Sequence, residues 1–180
     1  ARAHRTQSAD PPHAAVLVRL GALALTAAEH DAASGLDEAD AQLALAISYG
    51  ELQPLVVSKA KVRTSLIMKS QAEKASRLEP RNDLAWHVLG RWDMGYAELT
   101  GLKRKLAEVT YGTLPSPSYA DAANCFEKAV ALKPERVINY IELGQVYSAM
   151  DRSADARRVL KKGLELKQTD KDDPEAKERG

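Results

Sequence analysis

The spacing of apolar positions along this chain reads as a succession of helices. It predicts helices over about 14–29, 41–49, 57–77, 83–99 and 102–110, one ending at Leu132, and two more over 137–150 and 154–166. A Gly/Asp-rich link over 34–40 separates the first two, and a break is expected around 50–54, between Gly50 and Pro54. Leu102, Leu106 and Val109 share one face of the short fifth helix. A Pro-rich loop over 113–117 closes it, and Ser118-x-x-Asp121 reads as a capping box that opens the next helix. Residues 168–180 are charged and are expected to begin a truncated capping helix.

A longer period overlies the helical one. Ala122, Phe126 and Ala129 are matched 34 residues later by Ala156, Leu160 and Gly163. Trp86-x-x-Leu89-Gly90 is matched 54 residues later by Tyr140-x-x-Leu143-Gly144, and Ala75 and Pro80 precede Ala129 and Pro134 by the same 54. A single 34-residue unit accounts for every offset if 20 extra residues lie inside the middle unit, over about 99–118. This unit resembles the tetratricopeptide repeat, a helix–turn–helix. Its small residues (Ala75, Gly90, Ala122, Ala129, Gly144, Ala156, Gly163) let backbones approach, while Trp86, Phe126, Tyr140, Tyr147 and Leu160 fill the space between helices. Pro80 and Pro134 end the second helix of a unit. Asp93 stands where an aromatic is usual, and Gln168 where a proline is usual. The expected fold is therefore all-α: a tetratricopeptide-like solenoid of about three helix pairs with an inserted helix in the central repeat. The expected organisation is an amino-terminal segment with one helix (1–40), the repeat domain (41–167) and a charged tail (168–180).

Composition sharpens this mainly by exclusion. Only 5% of the residues are aromatic, and Ala, Leu, Lys and Glu outweigh the β-branched types, which favours helix over a β-sandwich or barrel. Against 25 Asp and Glu stand 26 Lys and Arg, so no overall charge draws the chain to nucleic acid or to an anionic membrane. The one cysteine, Cys125, excludes an internal disulfide and a Cys-rich zinc site, and it reads as a packing residue. The apolar stretch from residue 14 is interrupted at Arg19 and Gly21, short of the roughly 18 residues of a membrane helix. The first eight residues are basic and free of acid, as in a transit-peptide remnant or an ordinary terminus, and the missing initiator Met fits a fragment or processed product.

Catalytic chemistry finds no footing. His4, His13, His30 and His87 are scattered without metal-ligand spacing, the glycines form no phosphate loop, and neither a GxSxG nor a kinase signature occurs. The acids Asp170, Asp172, Asp173 and Glu175 lack calcium-loop spacing and read as a solvated tail. No enzyme, metal or cofactor is expected.

A more specific series of residues narrows the class. Lys59-Ala-Lys-Val-Arg, Ser76-Arg-Leu-Glu-Pro-Arg-Asn-Asp, Trp86-x-x-Leu-Gly-Arg-Trp, Ala97-Glu-Leu, Arg104-Lys-Leu-Ala, Tyr111-Gly-Thr-Leu-Pro-Ser-Pro-Ser-x-x-Asp-Ala and Phe126-x-Lys-Ala follow in order. This series, insertion included, resembles the regulator of microtubule dynamics family over about residues 58–173. The resemblance implies a non-enzymatic helical-repeat domain associated with microtubules; a scaffold in the cytoplasm at the cytoskeleton is expected, with cilium, organelle surface and organelle interior left open. One branch of that family binds phospholipid through its repeats at contacts between mitochondria and endoplasmic reticulum, which supplies the alternative. A fixed subunit of a large organellar or ciliary assembly is a third reading.

Stacked repeats leave a concave groove lined by the first helix of each unit. By register, Leu84, His87, Arg91 and Met94 face it from one unit and Ile138, Ile141 and Gln145 from the next. The lipid alternative would use the apolar part around Met94, Ile138 and Ile141. A clamp for a chaperone's terminal carboxylates needs Lys and Asn at such positions, and Ile141 and Gln145 do not supply them. Basic patches are the second candidate surface. Lys103, Arg104 and Lys105 lie on the inserted helix, Arg157, Arg158, Lys161 and Lys162 form two i,i+4 pairs on the last long helix, and Lys59, Lys61 and Arg63 form a third cluster. These suit acidic tubulin tails or phospholipid head groups. Nucleic acid is not expected, because no stacking aromatics accompany the bases.

Overall fold

The computed structural model describes residues 38–53, 59–167 and 173–180. Among the described residues there are eight helices and no strand: α1 (Glu38–Leu52), α2 (Lys59–Leu78), α3 (Asp83–Ala97), α4 (Gly101–Tyr111), α5 (Tyr119–Leu132), α6 (Val137–Ala149), α7 (Ser153–Glu165) and α8 (Asp173–Arg179). Three antiparallel pairs form, α1 with α2, α3 with α5, and α6 with α7. The pairs stack through α1 on α3, α3 on α6 and α5 on α6, which gives the expected all-α solenoid, and α8 packs on α6. The helix expected over 14–29 lies outside the described residues.

The repeat is chemical as well as geometric. Trp86 Nε1 donates to the carbonyl of Pro80 at 2.9 Å, and Tyr140 donates from its hydroxyl to the carbonyl of Pro134, also at 2.9 Å. Each aromatic thus ties the start of one helix to the proline that ended the previous one. A lysine covers each ring: Lys128 lies 4.0 Å from the Trp86 centroid and Lys162 lies 5.3 Å from that of Tyr140. The glycines mark the close approaches. A Cβ on Gly90 would lie 2.9 Å from the Phe126 ring, and one on Gly163 would lie 2.7 Å from Cβ of Tyr140. Phe126, Tyr140, Val146 and Ala122 are fully or almost fully buried between the pairs.

The capping box forms as expected: Ser118 Oγ accepts from the Asp121 amide at 3.2 Å, and the Asp121 carboxylate accepts from the Ser118 amide at 2.7 Å. Two expectations shift. The helix α1 does end within the break expected around 50–54, but at Leu52, two residues beyond Gly50. The bare Cα of Gly50 admits the Met68 sulfur of α2, which a Cβ would meet at 3.3 Å, and that packing offsets glycine's poor helix propensity. The carboxyl-terminal acids are not all solvated. Asp173 is buried, Ala176 is sealed against Val137 and Ile141, and Lys177 donates to the carbonyls of Leu164 and Leu166. Asp170 and Asp172 lie outside the described residues, while Glu175 is exposed.

Candidate partner-binding surfaces

The seven groove positions take three different fates. Leu84 packs against Leu43, Ala75 and Ala85, and Met94 packs against the cluster around Phe126. Ile138 and Gln145 are partly buried, and Ile138 lies beside Ala176. Ile141 is 0% exposed, because α8 covers it, and it presents nothing to a partner while that helix is seated. Only Arg91 of the seven is exposed. Of the apolar part around Met94, Ile138 and Ile141, α8 closes off Ile141, while Met94 and Ile138 stay partly exposed.

His87 belongs to a polar ladder between α3 and α6 that sequence reasoning did not assemble. Asp83 can only accept, so Asn139 turns its Nδ2 towards Asp83 Oδ2 at 3.0 Å. Its Oδ1 then faces His87 Nδ1 at 2.8 Å, which places the imidazole proton on Nδ1. Arg136 donates from Nε to Asp83 Oδ2 at 2.7 Å. Lower in the groove, Glu142 Oε1 accepts from Arg91 at 2.8 Å and from Arg179 of α8 at 3.1 Å. The signal available in sequence was Asn139 and Glu142, two polar residues three apart in the otherwise apolar start of α6.

Burial holds the His87 pKa below its ordinary value of 6.5, against the raising effects of Asn139, Glu142 and Asp83. A folded-state pKa below the unfolded one means that the native state binds fewer protons, so this contribution is lost as pH falls below about 6.5. Thermal melts at pH 7.5 and 5.5 are expected to show a drop in Tm that is smaller in His87→Gln. An equal drop in both proteins would show that His87 does not carry the dependence.

The basic faces separate clearly. Arg157, Arg158, Lys161 and Lys162 are all exposed on α7. Arg158 is paired with Asp155, which its guanidinium and that of Arg152 hold below the usual carboxylate range. Lys161 lies 3.9 Å from Glu165, and Arg157 has no ion pair among the described residues. On α4 the triplet is split. Lys103 and Lys105 are exposed, but Arg104 points inward, paired with Glu108 at 3.1 Å and donating to the carbonyls of Leu114 and Pro115 at 2.8 and 3.0 Å. Arg104 thus secures the insertion to its own loop. Of the third cluster, Lys61 and Arg63 are exposed.

An apolar hollow of about 450 Å³ lies between α2, α3 and the insertion, lined by Val62, Met68, Trp92, Tyr96, Ala107 and Tyr111, with Lys61 and Arg91 also on its wall. Ser65 and Tyr96 share a 2.6 Å hydrogen bond at its edge, and the buried Trp92 Nε1 has no partner among the described residues. Cys125 lies elsewhere, with Sγ 3.7 Å from Asp93 Oδ2, and burial together with that carboxylate pushes its thiol up to about 12. A thiol so rarely ionised is a poor nucleophile. No cluster of three or more metal-ligating side chains occurs among the described residues, and no described helix is long and apolar enough to cross a membrane.

Comparison with known proteins places these surfaces in a family. The family profile described as regulator of microtubule dynamics protein 1-3 matches residues 1–180. Regulator of microtubule dynamics protein 1 of Bos taurus is 31% identical over 103 residues, covering 57% of this chain and 32% of its own length. The protein of the same name from Caenorhabditis elegans is 26% identical over 121 residues, covering 67% of this chain and 54% of its own. Regulator of microtubule dynamics protein 3 of Xenopus laevis is 27% identical over 161 residues, covering 81% of this chain and 34% of its own. The chain spans about a third of the length of the vertebrate relatives it matches. With its whole length matched by one family profile, this chain belongs to the regulator of microtubule dynamics family.

Proposed function

We propose that this domain is a non-enzymatic helical-repeat scaffold that contacts the acidic surface of microtubules, working in the cytoplasm at the cytoskeleton, cilium included. The observation that carries the reading is the exposed cationic face of α7, where Arg157, Arg158, Lys161 and Lys162 stand in two i,i+4 rows. Lys103 and Lys105 add a second, smaller source of positive potential. The names of the relatives agree with this partner. Such a contact is long-ranged and salt-sensitive, because solvent-exposed charges are screened over roughly 10 Å at 0.1 M salt.

Co-pelleting with assembled microtubules tests it. Arg157→Glu/Lys161→Glu is expected to weaken pelleting about tenfold at low salt, consistent with losing roughly 1.4 kcal/mol of attraction. Moderate salt and removal of the acidic tubulin tails should weaken the unmodified protein similarly. Pelleting indifferent to all three changes would remove α7 as the contact.

A second reading is favoured by the apolar hollow between α2, α3 and the insertion. An acyl chain there would meet Met68 and Tyr96, and a head-group phosphate would meet Lys61 or Arg91. Lipid detected by mass spectrometry of the purified protein, and lost in a Met68→Trp variant that fills the hollow, would support phospholipid binding. Lipid-free protein would count against it.

A further inference from the structure

The inserted helix turns its apolar side outward. Leu102 is 72% exposed, Leu106 60% and Val109 87%, while α4 holds to the body through Arg104, Ala107 and Tyr111. At about 100° per residue the three exposed side chains span roughly 60° of arc, with Lys103 and Lys105 on opposite flanks. The only acid of the helix, Glu108, is on the attached side and is neutralised by Arg104. Neither flanking lysine has an ion pair among the described residues.

We infer that this face docks an acidic amphipathic helix of a partner protein. The 4-then-3 spacing of Leu102, Leu106 and Val109 is that of the narrow seam by which two helices pair, and residues beside such a seam select the partner by charge. Lysines on both flanks select glutamates or aspartates. They also disfavour a second copy, whose own lysines would be brought alongside. The apolar segment 14–29 of this chain carries only Arg19 and Glu29 as charges, so it offers the lysines no acidic row. A membrane surface is the weaker fit, because helices lying in a bilayer interface present a broad apolar face, commonly with aromatic residues, and this stripe is one aliphatic side chain wide and three long. Lys103 and Lys105 also add to the positive potential offered to microtubules, but that contact rests on α7, so loss of the seam and loss of pelleting are separable.

The test uses the full chain and two labelled 21-residue peptides with Leu at the seam positions, one with Glu and one with Lys at the flanks, followed by fluorescence anisotropy. The Glu peptide should bind, the Lys peptide at least tenfold more weakly. Leu106→Asp should abolish binding with Tm unchanged and α7-dependent microtubule pelleting intact, and Lys103→Glu/Lys105→Glu should reverse the peptide preference. Absence of Glu-peptide binding, or equal binding of both peptides, overturns the inference. So does co-sedimentation with phosphatidylserine vesicles that Leu106→Asp abolishes, since the occupant is then a membrane. Concentration-dependent dimerisation lost in Leu106→Asp assigns the face to a second copy instead, and a fall in Tm on the same substitution assigns it to a segment of this chain.

Discussion

Replacing Phe126 by alanine is expected to cost about 3–5 kcal/mol, the range for deleting a fully buried phenyl ring. At roughly 2–4 °C per kcal/mol for a chain of this size, the fall in Tm is about 6–20 °C. The size of the effect follows from where the ring sits. Phe126 is the fully buried side chain of α5 that meets α3 at Gly90, the edge of His87 at a centroid distance of 5.6 Å, and the α6 residues of the adjoining pair. Removing it opens a cavity shared by two pairs, which cannot collapse without moving both. The complementary change gives the check. Gly90→Ala places a methyl 2.9 Å from the same ring, and overpacking of that kind costs about 1–3 kcal/mol. In the double variant Gly90→Ala/Phe126→Leu the smaller side chain makes room, so its loss of stability should be less than the sum of the single losses. Strict additivity in denaturant melts would show that the two residues do not share one packing site.

The second large effect concerns a charge. Arg91→Ala/Arg179→Ala is expected to cost about 3 kcal/mol, the low end of the range for leaving a buried ion unpaired. The Glu142 side chain is 1% exposed, its Oε1 receives both guanidiniums, and its Oε2 has no partner among the described residues. The arginines are 50% and 39% exposed, so water follows where they leave, which keeps the cost at that lower end. Adding Glu142→Gln to the double variant removes the stranded charge and should recover part of the stability. The single change Glu142→Gln, by contrast, leaves two half-exposed arginines that solvent can hydrate, and it should cost less than the double variant. If adding Glu142→Gln brings no recovery, the glutamate is not the unfavourable group.

How much of this was legible in the sequence depends on how far each cause reaches along the chain. The repeat was legible because close packing of helix on helix demands small residues at fixed positions, and Gly90, Gly144 and Gly163 meet Phe126, Leu160 and Tyr140 as their spacing implied. The capping box at Ser118 was legible because its causes lie within four residues. The orientation of the insertion was not, because amphipathy says that a helix has two faces but not which one is attached. Arg104 decides that by bonding to Leu114 and Pro115, a contact with no periodic trace. The ladder from Asp83 through Asn139 to His87 was equally out of reach, since its partners lie 52 and 56 residues apart across the insertion. Register alone leaves Ile141 open, because it gives the direction of a side chain and says nothing of what arrives later in the chain.

That later arrival has a consequence for assembly. The helix α8 sits against α6, with Ala176 packed on Val137 and Ile141. A stack of identical units has no intrinsic end, and every unit offers the next the same adhesive face. Here the seven residues of α8, charged on their outer side, lie over one such face, and Lys177 and Arg179 fasten them. Were α8 lifted, Ile138 and Ile141 would become a bare apolar face able to accept the leading pair of another copy. Because that contact is head-to-tail and generates no closed ring by itself, its product would be a filament of indefinite length.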